Sequence, residues 1–320
     1  MSYEHLADLN GLVERLAQDH CTPGWVRRER PLLWNPARSA FLPAHWSYAA
    51  LRPALLAACR LIGTEQAERR NLILRNPAPG NGFATTRTLV GAYQAILPGE
   101  HARTHRHAPH ALRVILEARG AYSVVDGVRH PMETGDIVLT PGQHWHGHGH
   151  DGSEPAFWFD GLDVPLVHLL EPMRFEEHPD GWAPVSATVE DSPMRIPAAA
   201  VREQLARAAA EGPGDPHSGV TADFTSPLMP TIAIRAHAWT AGWRHRAFRQ
   251  HANSLQVVLG GRGTTRVGEQ AFQWAFGDVL ALPLGLPVRH QVHEDAVVVS
   301  LSDEPLMRWC GYYHLEEVRE

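Results

Sequence analysis

Three histidines in this chain have the spacing of a metal site. His105 and His107 are separated by one residue, and His146 follows later in the sequence. On a β-strand, residues two apart point to the same side, so His105 and His107 reach one cavity while Arg106 turns away. A third imidazole from a later strand completes a set of nitrogens suited to iron, manganese, nickel, copper or zinc, with coordination positions left open. Histidine is abundant, at 21 of 320 residues, so a lone His-x-His pair carries little weight. The surroundings carry the assignment: five residues separate Gly99 from His105 and Gly135 from Pro141, and His146 lies five beyond Pro141.

The elements that must position these side chains are short strands. Residues 85 to 170 hold β-rich runs such as Ala121-Tyr-Ser-Val-Val and Asp136-Ile-Val-Leu-Thr, divided by Gly, Pro and Asp turns. The same texture returns from residue 231, with Leu255-Gln-Val-Val-Leu and Ala296-Val-Val-Val-Ser as its clearest strands. Between them an alanine-rich helix is expected over Pro197 to Glu211, closed by Gly212-Pro213. Before the first β segment, Pro53 suits a first helical turn, Leu55, Leu56, Cys59 and Ile62 recur at helical spacing, and Gly63 is a stop. The expected organisation is an N-terminal arm with helices over 1–78, a metal-binding β domain over 79–170, a linker with a helix over 171–230, and a second β domain over 231–320.

The two β segments repeat each other at an offset of 142 to 143 residues: Gly99 matches Gly242, Arg119-Gly120 matches Arg262-Gly263, Gly135-Asp136 matches Gly277-Asp278, and Pro141 matches Pro283. In the second copy His105, His107 and His146 become Phe248, Gln250 and Val288. Loss of all three in one copy, beside retention of all three in the other, marks the first set as functional. His245, His251 and His290 lie off the ligand positions.

Composition narrows the partners. A formal charge of −6 gives no basic surplus for nucleic acid, and no apolar stretch is long enough to cross a bilayer. The N-terminus lacks a cationic segment followed by an apolar run, so a cytoplasmic protein is expected. Cys21, Cys59 and Cys310 are odd in number and widely spaced, so they are expected to be buried thiols without disulfide or zinc roles.

The spacings resemble the two cupin motifs, Gly-x5-His-x-His and Gly-x5-Pro-x4-His. With the repeat they imply a mainly β bicupin: two jelly-roll (double-stranded β-helix) barrels with an N-terminal helical arm and a helical linker. The pattern departs from the general cupin motif where a glutamate ligand would follow, because Ala111 and Leu112 stand there. Three neutral histidines leave the charge of a divalent metal uncompensated and favour an anionic, bidentate substrate such as a hydroxy-aromatic acid. Arg113, six residues past His107, is expected to share its strand parity and pair with a carboxylate.

More specifically, the chain resembles the gentisate and salicylate 1,2-dioxygenases from about residue 25 to its end. The resemblance rests on Ala67-Glu-Arg-Arg-Asn-Leu, Ala92-Tyr-Gln-Ala-Ile-Leu-Pro-Gly-Glu, His105-Arg-His with Ala111-Leu-Arg, Gly135-Asp-Ile-Val-Leu-Thr-Pro, Trp145-His-Gly-His and Asp160-Gly-Leu-Asp-Val-Pro-Leu. It implies a mononuclear Fe(II) enzyme that uses O2 to open the ring between the carboxyl-bearing and adjacent hydroxyl-bearing carbons. Gentisate leads as substrate, with salicylate, a 5-substituted salicylate or 1-hydroxy-2-naphthoate as rivals. It also implies His105, His107 and His146 as ligands, Arg113 and one of Arg69 or Arg70 on the carboxylate, and Gln94, His148 and Asp160 lining the pocket. His148 is a candidate for proton transfer. A homo-oligomer, tetramer or dimer, is implied too. His110, His144 and His150 either touch a ring substituent or are solvated loop residues, and Trp145 and Phe157-Trp-Phe are expected in the core. The competing readings are an oxygen-independent bicupin reaction, such as isomerisation or decarboxylation, and a non-catalytic bicupin that binds a small acid.

Overall fold

Alternation along the strand Ala111–Glu117 divides it between two interiors. Leu112, Val114 and Leu116 enter a large apolar core with Leu255, Val257, Val299 and Leu301, while Ile115 packs with Ile96, Val138 and Trp158 on the opposite side. The same parity puts Phe157 and Phe159 in the large core and Trp158 in the smaller one. The first face joins the two barrels; the second lines the inside of the first barrel. Where the barrels touch, Gly91 and Gly161 leave room that a Cβ would take from Phe159, Leu255 and Leu301.

This computed structural model describes residues 3–25, 32–67 and 69–318. The chain divides into two compact units, Met1–Ala37 and Arg38–Glu320. The smaller holds the helix Leu9–Gln18, whose N-terminus is capped by Asp8 accepting from the Gly11 N–H at 2.8 Å. The larger holds both barrels, and everything below concerns it.

The first barrel is two six-stranded sheets. One runs in the order Arg195–Ile196, Ile137–Thr140, Ala111–Glu117, Ala156–Leu162, Val90–Ile96, Arg70–Ile73. The other runs Phe175–Glu177, His101–His107, His146–His150, Ala121–Val125, Val128–Met132, Ala187–Thr188. Pairing extends past the expected 79–170 segment on both sides, because Arg70–Ile73 precedes it and Phe175–Glu177, Ala187–Thr188 and Arg195–Ile196 follow it.

The second barrel is one nine-stranded sheet, because Ser254–Val267 and Pro287–Ser302 run through both of its walls. Register shifts near Gly260 and Arg262 bend the pair, helped by Gly261 at φ 81°. The first barrel makes the same corner by breaking the strand at Gly120, φ 84°. Val220–Asp223, from the expected linker, and Ala44–Trp46, from the expected arm, also pair into this sheet.

The repeat holds at the level of register. His105 pairs with His146 in the first barrel, and Phe248 pairs with Val288 in the second. The expected strands fall on Ala121–Val125, Ile137–Thr140, Ser254–Val267 and Pro287–Ser302, with Asp136 just outside the second. The linker helix is Ala198–Glu211, begun by Pro197 and ended at Gly212. The earlier helix differs from its expected start: it spans Tyr48–Leu61, capped by Ser47, and Pro53 sits inside it. Ser47 supplies the N-cap that the proline signal obscured. The three cysteines are free, but only Cys59 is buried, while Cys21 is exposed and Cys310 half-buried. No helix among the described residues is long and apolar enough to cross a membrane.

Candidate active site

The three imidazoles converge as their spacing demands. Ring centroids are 4.3 Å apart for His105 and His146, 4.8 Å for His107 and His146, and 5.6 Å for His105 and His107. Their ligand nitrogens all lie within 4.8 Å of one another, the one such group among the described residues. Each Nδ1 faces a backbone carbonyl: Arg103 at 3.2 Å from His105, Pro109 at 2.7 Å from His107, and His144 at 3.0 Å from His146. A carbonyl only accepts, so each Nδ1 carries the proton and Nε2 is the nitrogen suited to a metal.

Two further observations fit a metal. His146 Nε2 is buried without a hydrogen-bond partner, an orphan that an ion would satisfy. Burial, reinforced by the neighbouring imidazoles, pushes His107 down to about 4 and His146 well below the usual histidine range. Both are therefore neutral at physiological pH and available as ligands. Ala111 is fully buried in the strand after the turn, so no carboxylate joins the set at that position.

A cavity of about 230 Å³ opens beside His107. Its polar wall includes Arg69, Gln94, Arg113 and Asp160, four of the residues expected there, and also Asn71 and His168, which were not. Ile73, Phe83, Val90, Ala92, Leu162 and Val164 supply an apolar surface for a ring. Asn71 had a legible signal: it shares strand parity with Arg69. Phe83 and His168 come from loop and helix, and their rings meet at 5.1 Å by a fold that no local pattern announces.

Arg113 reaches the cavity for a reason other than the one expected. It is not on the strand of His107; a turn intervenes, and the two lie in different sheets. Its guanidinium donates to Thr140 Oγ1 at 2.6 Å and stands 3.4 Å from Asp160 Oδ1. Burial lowers its pKa to about 10, which leaves it a cation at neutral pH. Burial likewise raises Asp160, against the pull of Arg113 and Arg69, and Gln94 donates to its other oxygen. Arg113 Nε and Asp160 Oδ1, facing each other at 3.4 Å, have no hydrogen-bond partner.

Arg69, just before the strand Arg70–Ile73, and Arg70, its first residue, have different surroundings. Arg70 is turned away from the cavity: its guanidinium donates to Glu100 at 2.5 and 2.6 Å and to the Cys59 carbonyl at 3.4 Å. Of the two arginines, one of which was expected on the carboxylate, Arg70 lies off the cavity lining and ties its strand to the preceding helix and to the turn at Glu100. Arg69 lines the cavity and donates to His148 Nε2 at 3.2 Å. That bond fixes the His148 tautomer, with the Nδ1 proton directed at Ser123 Oγ, 2.9 Å away. Burial and the two nearby arginines hold His148 well below the usual range, so it is neutral and poor at accepting a proton. Of Glu68, within the motif Ala67–Leu72, nothing is described.

The remaining histidines are occupied elsewhere. His110 Nδ1 accepts from the Gly142 N–H at 2.9 Å, His144 pairs with Asp126 at 2.6 Å, and His150 bonds the Glu154 carbonyl at 2.5 Å. His150 is completely buried and so is not a solvated loop residue. Phe157, Trp158 and Phe159 are core as expected, whereas Trp145 is half-buried beneath Arg106, whose guanidinium lies 4.5 Å from a ring centroid.

Comparison with known proteins gives a consistent picture. Residues 92–164 match the cupin domain family. The chain is 32% identical to gentisate 1,2-dioxygenase 1 of Aquipseudomonas alcaligenes over 93% of this chain and 93% of that protein. It is also 32% identical to 5-aminosalicylate 1,2-dioxygenase of a Comamonas species, covering 96% of this chain and 89% of that one. Its fold is similar to that of salicylate 1,2-dioxygenase from Pseudoaminobacter salicylatoxidans, solved with gentisate, with a TM-score of 0.89, 22% identity, and coverage of 100% of this chain and 96% of that one.

Proposed function

Because the chain belongs to the gentisate 1,2-dioxygenase family, we propose that it is an Fe(II)-dependent dioxygenase that opens the ring of a hydroxy-aromatic acid between the carboxyl-bearing and adjacent hydroxyl-bearing carbons. Gentisate is the leading substrate, giving maleylpyruvate. The observation that carries this reading is the cluster of three imidazoles that reaches, through His107, a cavity with two arginines. Family membership also supports a cytoplasmic homo-oligomer, a dimer or tetramer, which sedimentation of the purified chain would test.

His105, His107 and His146 would hold the iron, which would supply open coordination positions and redox chemistry for the acid and O2. The protein does the rest by position and charge. Three neutral ligands leave the ion's charge uncompensated, and among the described lining residues Arg113 and Arg69 stand beside the carboxylate of Asp160, so the cavity suits an anionic acid. Arg113, held by Thr140 and Asp160, lines the cavity and offers its guanidinium charge to a carboxylate. Gln94 holds Asp160, and His148 holds Arg69, so both guanidiniums are oriented before substrate arrives. The apolar wall of Val90, Ala92 and Leu162 takes the ring face. His148 acts here by orienting Arg69 rather than by carrying a charge.

Oxygen uptake by the iron-loaded protein with gentisate, salicylate, 5-aminosalicylate and 1-hydroxy-2-naphthoate, followed with the ultraviolet spectrum of the product, tests the reading. One O2 consumed per acid, with a ring-opened product, is the expected result and ranks the substrates. An acid that binds without oxygen uptake would move the assignment to a binding protein, and a product formed without oxygen to an isomerase or decarboxylase.

A further inference from the structure

The second barrel has its own cavity, of about 310 Å³, and it occupies the place that the acid cavity occupies in the first. Register establishes this residue by residue. Asn71 pairs with Gln94 and Thr221 pairs with His237; Arg113 pairs with Asp160 and Gln256 pairs with Ser300; Ser123 pairs with His148 and Thr265 pairs with His290. Even the hydrogen bonds are repeated. Ser123 Oγ meets His148 Nδ1 at 2.9 Å, and Thr265 Oγ1 meets His290 Nδ1 at 2.7 Å. Gln94 bonds Asp160, and His237 Nε2 lies 2.8 Å from Ser300 Oγ.

What changes between the copies is charge. Arg113 and Asp160 become Gln256 and Ser300, Gly219 stands two residues before Thr221 where Arg69 precedes Asn71, and the metal ligands become Phe248, Gln250 and Val288. Of the charged groups that remain in the lining, Arg235 bonds Glu304 at 2.5 Å, Arg308 bonds the same carboxylate at 2.7 Å, and Asp215 accepts from the backbone N–H groups of His217 at 2.7 Å and Ser218 at 3.1 Å. Burial lowers His237 to about 4 and His290 to about 3, so both are neutral imidazoles. Gln256, 7% exposed, lines this space; its Nε2 lies 3.3 Å from His290 Nε2 and its carbonyl Oε1 has no hydrogen-bond partner. That orphan asks for a donor, and the hydroxyls of Thr221 and Ser300 and the imidazoles offer donors and acceptors around it.

We infer that the second barrel is a binding site for an uncharged, hydroxyl-bearing molecule of about one ring, distinct from the acid and metal site of the first barrel. The volume is at the lower end for small-molecule sites, which suits a single ring. Replacement of Arg113 and Asp160 by the uncharged hydrogen-bonding Gln256 and Ser300, with Gly219 at the place of Arg69, selects against carboxylates. This inference does not depend on which acid the first barrel turns over.

The test is ligand-observed saturation-transfer NMR on the full iron-loaded chain, with saturating salicylate in the first barrel and resorcinol or myo-inositol as probe. At least one probe should bind. Gln256→Leu should weaken it by about tenfold or more, the loss of a hydrogen bond to a buried group, while leaving first-barrel turnover unchanged. Ser300→Ala should act in the same direction and serves if the first variant does not fold. Binding of neither probe, or binding that Gln256→Leu and Ser300→Ala leave intact, overturns the inference. So does salicylate binding that survives Arg113→Gln and is lost in Gln256→Leu.

Discussion

The two barrels share register, corner glycines and a buried histidine on a hydroxyl, yet one gathers three metal ligands and the other none. The comparison separates what the fold supplies from what the site supplies. The fold places inward-facing positions at fixed points around a cavity; a handful of side chains then decides whether that cavity is cationic or neutral. Where the first barrel has His105, His107, His146 and Arg113, the second has Phe248, Gln250, Val288 and Gln256.

The largest effect should come from making the first barrel resemble the second at the metal. His146→Ala should lower metal affinity by more than the roughly 10–100-fold that losing an outer partner costs, and abolish oxygen uptake. Normal uptake at normal metal content would remove His146 from the site. The next step borrows the second barrel's amide. Arg113→Gln should keep the metal and reduce kcat/KM for the acid by about 10–100-fold, the worth of a charge-assisted hydrogen bond; unchanged kinetics would take Arg113 out of acid binding.

Protonation gives a third contrast. His237 and His290 are lowered to about 4 and about 3 by burial, from 6.5. The sign is that of a depressed pKa: their neutral form is favoured by folding, so stability is complete above pH 6.5 and falls as the pH drops toward 4 and 3. Each contributes up to about 1.4 kcal/mol per pH unit in that window. Chemical denaturation from pH 7 to 4 should show this loss, and His237→Gln should flatten it. A slope unchanged by His237→Gln would mean that the second barrel's histidines do not set the acid limit.

The smallest effect concerns the contact between barrels. Tyr93 donates its hydroxyl to the Gly277 carbonyl at 2.7 Å, so Tyr93→Phe should cost about 1 kcal/mol in stability and leave metal binding unchanged. A change in metal content would mean that the barrels are coupled through this bond.

Much of this was legible in the sequence because it depends on short spacings. His105 and His107 two apart, glycines at turns, and the offset between copies are local facts that the strand period converts into geometry. Three things were not legible. Which of Arg69 and Arg70 points inward depends on where a strand begins, and that is set by pairing with Val90–Ile96. Arg113 was tied to His107 by counting along one strand, but a turn between two sheets brings it there. The second cavity escaped because its offset drifts: His290 lies 142 beyond His148, Gln256 143 beyond Arg113, and Ser300 140 beyond Asp160, so only pairing reveals the equivalence.

The most direct test of the contrast is to count metal. The full chain, loaded anaerobically with iron(II) and freed of excess, should retain one ion per chain, and His146→Ala should retain none. Two ions per chain, or one that survives His146→Ala, would contradict the assignment of the metal to the first barrel.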